Sequence, residues 1–204
     1  RDASGHDRNG FYEPAVAFFL PGPHGKAYCG SGFNRAVHFA GGRLRARIAG
    51  VRDRYSVALW FWNGMPVDGR ETSGWMFSRG RNHDRQVHGD HLGIGGTAHH
   101  TGKLIYQHGN DPGVGQLGGH TAIKRWSWNH VVFVRDRAHI RVHLNGALNP
   151  EIEVKTNPLA RGQSELFFGG RCDNQANWEG RLDEIAVFDR ALSAAEIGKL
   201  AAVK

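Results

Sequence analysis

The 204-residue chain carries 29 glycines, 40% hydrophobic residues and a formal net charge of +7, with a pI near 9.8. That length suits one all-β domain with a full core, and the ordinary apolar content excludes a disordered chain. No apolar run approaches the ~20 residues of a membrane-spanning helix, so no membrane insertion is expected.

In chain order, Asp2-Ala3-Ser4-Gly5 and Asn9-Gly10 read as turns, because short polar side chains bond their own backbone. Phe18 to Leu20 is a short apolar run stopped by Pro21-Gly22-Pro23, and Cys29 to Arg35 is a glycine-containing loop. Ala36 to Ala40 alternates like a half-buried strand, with Val37 and Phe39 opposite Ala36 and His38. Tyr55 to Trp62 gives the strongest strand signal of the first half. Tyr55, Val57, Leu59 and Phe61 share one face while Ala58, Trp60 and Trp62 share the other, so the run belongs inside a sandwich.

Asn63 to Gly74 reads as loop and Trp75 to Ser78 as strand. The stretch from Arg79 to Thr121 is dominated by Gly, His and Asp, with short strands at Leu92 to Ile94 and Lys103 to His108. It holds seven histidines, His83, His88, His91, His99, His100, His108 and His120. His88-Gly89-Asp90-His91 has ligand chemistry suited to zinc, but the histidine spacing of a zinc-binding helix is absent. A solvated loop is the expectation there. Trp128 to Val134 and His139 to Leu144 form two strands around Arg135-Asp136-Arg137, the second alternating so that Ile140, Val142 and Leu144 face inward. Asn145-Gly146 is a tight turn and Leu166 to Gly169 a further strand.

The most informative run is Gly169 to Ile197. Leu182 to Phe188 reads as a closing strand, and Ser193-Ala194-Ala195-Glu196 is a capping box that opens a short helix with Ile197, Leu200 and Ala201 on one face. Asp183 and Glu184 break the apolar strand, and a carboxylate there requires a partner or an open edge. The segment G-R-L-D-E-I-A-V-F-D-R-A-L-S-A-A-E-I resembles the C-terminal signature of laminin-G-like domains, members of the concanavalin A-like lectin and glucanase superfamily. The blocks D-A-S-G near the N-terminus, W-S-W-N-H-V-V-F-V-R-D and I-R-V-H-L-N-G resemble the same family, as does the V-x-x-W pattern ending at Trp60.

The resemblance implies a two-sheet antiparallel jelly-roll sandwich with a short C-terminal helix, spanning residues 1–204 as a single domain excised from a larger protein. It also implies a calcium ion held near the meeting of the termini, with Asp2 and Asp183 matching the family's positions. Oxygen donors of this kind suit Ca²⁺. Phe39-Ala40-Gly41-Gly42 stands where relatives carry F-D-G, which weakens or relocates such a site. The other reading of Asp183 is a carboxylate capping amides in the loop from Asn174 to Glu179.

Cys29 and Cys172 lie far apart, and a disulfide between them would close a loop worth roughly 5 kcal/mol in the chain-entropy model and imply an oxidising compartment. Two buried thiols are the alternative. The basic charge favours anionic partners, but the arginines are dispersed and no nucleic-acid motif accompanies them, so nucleic acid is not expected as a partner. A glycosidase requires two carboxyl groups across a cleft. Glu151 and Glu153 lack a third carboxylate and sit where the family has a variable turn, while Asp183 and Glu184 point to opposite faces of one strand. Three functions follow for what is expected to be a monomeric domain: a non-catalytic carbohydrate-binding module of a secreted or envelope bacterial protein, a protein-interaction or structural domain without a glycan ligand, and a glycosidase relative. The first would use Trp75, Trp126 or Trp178 to stack on sugar rings.

Overall fold

The computed structural model describes residues 2–23, 33–84, 89–109 and 115–202. Two seven-stranded antiparallel sheets face each other as a jelly-roll sandwich. The first sheet runs in the order β1 (Phe11–Tyr12), β4 (Leu44–Arg47), β13 (Glu165–Phe168), β6 (Thr72–Gly80), β7 (Asp90–Gly95), β8 (Lys103–His108) and β9 (Leu117–Ala122). The second runs β12 (Ile152–Lys155), β11 (His139–Leu144), β10 (Trp128–Asp136), β5 (Arg54–Asn63), β14 (Glu179–Phe188), β3 (Arg35–Ala40) and β2 (Val16–Pro21).

The alternation read in β5 and β11, together with the strand β10 between them, builds the core. Tyr55, Val57, Leu59 and Phe61 pack with Val131, Phe133, Ile140 and Val142 against Phe77, Leu92, Ile94, Leu104, Leu166 and Phe168 of the opposite sheet. The outer face of the second sheet is divided. Ser193 and Glu196 form the expected capping box, and the helix α1 (Ala194–Ala201) lays Ile197 and Leu200 over Ala58, Val132 and Val134. The Asn145-Gly146 turn receives the end of this helix: a Cβ on Gly146 would lie 2.7 Å from the Ala201 Cβ, and both turn residues have positive φ. His143, expected to face water, is buried there with Nδ1 2.9 Å from the Ala147 carbonyl.

Three further differences from the sequence reading concern strands β4, β9 and β12. The sequences L-R-A-R of β4 and I-E-V-K of β12 alternate over only four residues, and L-G-G-H-T-A of β9 holds two glycines, so none gives a strand signal long enough to stand alone. Their partners in the sheet impose the extended conformation instead.

The largest departure lies in the histidine-rich stretch. His88 falls outside the described residues, but Asp90 and His91 are strand residues with 0% exposure, not a solvated loop. Asp90 accepts hydrogen bonds from Arg135 Nε at 2.6 Å and Nη2 at 2.7 Å, from Tyr55 Oη at 2.6 Å and from Tyr106 Oη at 2.9 Å; His108 Nδ1 lies 3.2 Å away. Arg135 also donates to the Arg137 carbonyl at 2.6 Å. Burial opposes ionisation of Asp90, but hydrogen bonds from His108 and Arg135 and the charge of Arg135 outweigh it and hold the carboxyl well below the usual range.

Replacing Asp90 by Asn strands the Arg135 charge in the core and is expected to destabilise the fold by about 3–5 kcal/mol, measured by urea unfolding. A paired Asp90→Leu and Arg135→Met change is expected to cost less than the two single changes added together, since the partners act as one unit. Because the folded pKa of Asp90 is depressed, its contribution is complete above the unfolded value of about 3.9 and fades as pH falls below it, so acid unfolding of the native protein is expected to start there.

Candidate ligand-binding surface

The half of the second sheet's outer face that α1 leaves open is built by register. The outward side chains of β5 at this end are Trp60 and Trp62, opposite the inward Leu59 and Phe61. Trp128 of β10 lies beside Trp62, which lies beside Arg181 of β14, which lies beside His38 of β3, giving one row across four strands. The Arg181 guanidinium stacks 4.5 Å from the Trp62 ring centroid and donates Nη1 to the Pro21 carbonyl at 3.0 Å. In the next row Trp60 is nearly buried, 5.2 Å from the His130 ring. Burial lowers the His130 pKa to about 4, so the ring is neutral at pH 7.

Trp126 stands at the end of this surface, on the turn that leads into β10. Its amide donates to the Asn63 carbonyl at 3.0 Å, while the indole is 62% exposed. Arg125 lies 4.3 Å over the indole and donates Nη2 to the Gly64 carbonyl at 2.8 Å. Asn129, which pairs with Phe61 near the end of the ladder, accepts a 3.0 Å hydrogen bond from the side chain of the exposed Asn145. The φ of Trp126 is +60°, a left-handed conformation that costs a bulky side chain about 1 kcal/mol or more. An aromatic face flanked by guanidinium and amide groups presents both an apolar platform and hydrogen-bond donors.

Of the three tryptophans expected to be exposed, Trp126 alone is. Trp75 is 1% exposed, because the loop 169–178 crosses the outer face of the first sheet above it. The Trp75 amide donates to the Ala176 carbonyl at 3.0 Å, and its ring packs 5.9 Å from His91. Trp178 is fully buried in the core, edge-on to Phe61 at 6.1 Å. Neither can stack on a ligand.

Asp2 and Asp183 serve different surroundings. Asp2 closes its own turn, accepting the amides of Ser4 at 2.8 Å and Arg8 at 2.9 Å; the Ser4 side chain and these amides hold its pKa near 2. Asp183 sits at a bulge of β14, where Glu184 has φ +48° and the pairing with β5 shifts. Asn34 Nδ2 donates 2.8 Å to Asp183 Oδ2 and 3.0 Å to the Pro23 carbonyl. Gly22 leaves the room this needs, since a Cβ there would come within 2.5 Å of Asp183 Oδ2. Burial raises the Asp183 pKa to about 6, and its partners are Asn34 and the Glu184 amide, not the loop from Asn174 to Glu179. Cys29 falls outside the described residues, and Cys172 is buried beside Ser78, whose Oγ accepts its amide at 2.9 Å.

The family model for laminin G-type domains of the Concanavalin A-like lectin/glucanases superfamily matches residues 42–198. The chain belongs to this superfamily. No curated protein sequence matches this laminin G-like domain. Its fold is similar to domain 4 of AbnA, a GH43 extracellular arabinanase from Geobacillus stearothermophilus, in complex with arabinotriose, with TM-score 0.72, 18% identity and coverage of 97% of this chain and 91% of that one. It is also similar to the binding domain of botulinum neurotoxin DC in complex with SialylT, with TM-score 0.68, 13% identity and 98% of this chain covered; the laminin G-like domain spans 47% of that chain. The Ruminococcus gnavus IT-sialidase CBM40 bound to α2,3-sialyllactose gives TM-score 0.56 and 16% identity, covering 74% of this chain and 84% of that one.

Trp62, Trp128, Arg125 and Arg181 were not among the residues singled out from sequence. The period-2 pattern of β5 already separates Trp62 from the core face, but its neighbours Trp128 and Arg181 come from strands whose register only the assembled sheet supplies. Since Trp126 is strained and exposed, Trp126→Gly is expected to leave stability unchanged or raise it by about 1 kcal/mol in urea unfolding. Trp178→Ala is expected to destabilise by about 3–5 kcal/mol.

Proposed function

We propose that this laminin G-like domain is a non-catalytic glycan-binding module of a secreted or envelope protein, and that it binds sugar rings on the surface formed by Trp126, Trp62 and Trp128. The observation that carries this reading is Trp126: a large indole held exposed at positive φ, with an arginine stacked on it, offers nothing evident to packing. Structural neighbours whose names record arabinotriose and sialyllactose support the same class of ligand. The carboxylates weighed for hydrolysis support a binding role. Glu151 uses both oxygens on the His120 amide and on the amide and hydroxyl of Thr121, and Asp183 and Glu184 part at the β14 bulge. A protein ligand is the second reading, favoured by the exposed Phe18 and Phe19 on edge strand β2.

Binding is tested on an oligosaccharide array followed by calorimetric titration of the oligosaccharide that responds. Trp126→Ala is expected to weaken its affinity at least about tenfold with the melting temperature held, since aromatic platforms carry a large share of a binding surface's energy. Undiminished affinity in that variant refutes the assignment.

The calcium implied by the family is proposed at Asp183 rather than shared with Asp2. The Asp183 carboxylate and the Pro23 carbonyl converge on the Asn34 Nδ2, so two oxygen acceptors of the kind a hard cation takes lie side by side. A bound ion would supply the positive charge that the buried carboxylate needs. Since burial raises the folded pKa to about 6, ionised Asp183 opposes folding above that pH in the metal-free protein. Calcium is therefore expected to raise the melting temperature at pH 7, the rise should fade below pH 6 as protons compete, and Asp183→Asn should abolish it.

A further inference from the structure

Arg43, immediately before strand β4, and Arg45 and Arg47 within it stand at alternate positions, so all three reach the outer face of the first sheet while Leu44 and Ala46 turn inward. Their surroundings differ step by step. Arg43 is 1% exposed and fully engaged: Glu13 accepts from Nε at 2.6 Å and from Nη2 at 2.8 Å, the Arg171 and Cys172 carbonyls and Asn82 Oδ1 take the remaining donors, and the guanidinium stacks 4.8 Å from the Phe167 ring. Arg45 is half exposed and paired through Nε and Nη2 with Glu165 Oε1, whose second oxygen accepts the Asn82 amide at 3.1 Å. Arg47 is exposed, with a 3.3 Å contact from Nε to the Ser164 hydroxyl. Among the described residues the row thus sets two carboxylates, Glu13 and Glu165, against three guanidinium groups, and the surplus charge lies at the open end with Arg47.

That end forms a groove of about 410 Å³, lined by Asn9, Phe11, Arg45, Ala46, Arg47 and Glu165. Phe11 lies directly across the β1–β4 ladder from Arg45 and is 68% exposed, so one wall is an open aromatic ring. The volume is within the range of small-ligand sites. An aromatic ring beside an uncompensated guanidinium suits a ligand with an apolar ring face and an anionic substituent, because the ring stacks while the anion takes paired N–H donors. We propose that this groove is a second binding site, separate from the tryptophan surface, for an acidic sugar residue, with its ring on Phe11 and its carboxylate or sulfate on Arg47. The Glu165–Arg45 pair is a ready acceptor and donor for adjacent hydroxyls, whereas a bare phosphate would leave Phe11 unused. The sugar class rests on the glycan reading above; the location does not.

The test titrates the full chain, as the Trp126→Ala variant, with a glucuronate-containing hexasaccharide, a heparin-derived sulfated hexasaccharide, a neutral hexasaccharide and a single-stranded DNA hexamer. Binding of either acidic sugar, weakening as salt rises, is the expected result, and which of the two binds identifies the anion. Phe11→Ala and Arg47→Ala, both at exposed side chains, should each reduce that affinity at least tenfold with an unchanged melting temperature, and Arg47→Ala should flatten the salt dependence. The proposal is overturned if neither acid binds, if either variant binds them undiminished, or if the neutral sugar or the DNA binds as tightly. Failure of the first site shows instead as an unchanged glycan affinity on replacing Trp126 in the otherwise native chain.

Discussion

The sandwich depends on one ion pair between its sheets. Asp90 comes from the first sheet and Arg135 from the second, both fully buried, and the phenols of Tyr55 and Tyr106 complete the carboxylate's shell from opposite sides. Hydrophobic contact alone fixes neither the lateral offset of two sheets nor their rotation, because apolar faces tolerate many packings. A bidentate arginine to carboxylate contact has a defined geometry, and each misplacement leaves a charge uncompensated. The pair thereby selects one alignment of β7 and β8 against β5 and β10. The rows of outer-face residues depend on the same alignment.

Both outer faces follow a common plan. On the second sheet α1 covers Ala58, Val132 and Val134 and leaves the tryptophan row open; on the first sheet the loop 169–178 covers Trp75 and Arg43 and leaves Arg45 and Arg47 open. Each cover buries apolar or strand residues that would otherwise face water, and each stops short of the open aromatic and guanidinium groups.

Much of this architecture was legible from residues. Strands with apolar alternation, such as β5 and β11, declared themselves, and the helix start was written in Ser193 and Glu196. Strands β4 and β9 did not, because the alternation of β4 runs for only four residues and the two glycines of β9 weaken its local preference. Exposure was the weakest inference. Trp75 lies in β6, Trp126 on the turn before β10 and Trp178 just before β14, and only the assembled sheets show that the loop 169–178 covers Trp75 and sends Trp178 into the core. The buried role of Asp90 was equally hidden, since a carboxylate among histidines and glycines looks solvated until Arg135 arrives from 45 positions away. The row of Trp128, Trp62 and Arg181 joins three strands, and sequence spacing carries no trace of it.

The seat of α1 on the Asn145-Gly146 turn bears on how the sandwich is completed. The β10–β11 hairpin is synthesised before the helix that covers it, so Val132 and Val134 form a bare apolar strip on a growing sheet until the last element folds. During that interval the strip is open to chaperones and to other nascent chains. Because a side chain at Gly146 would meet Ala201, the glycine keeps the landing place clear for the final segment, and the arrival of α1 is the step that withdraws the sandwich from that risk.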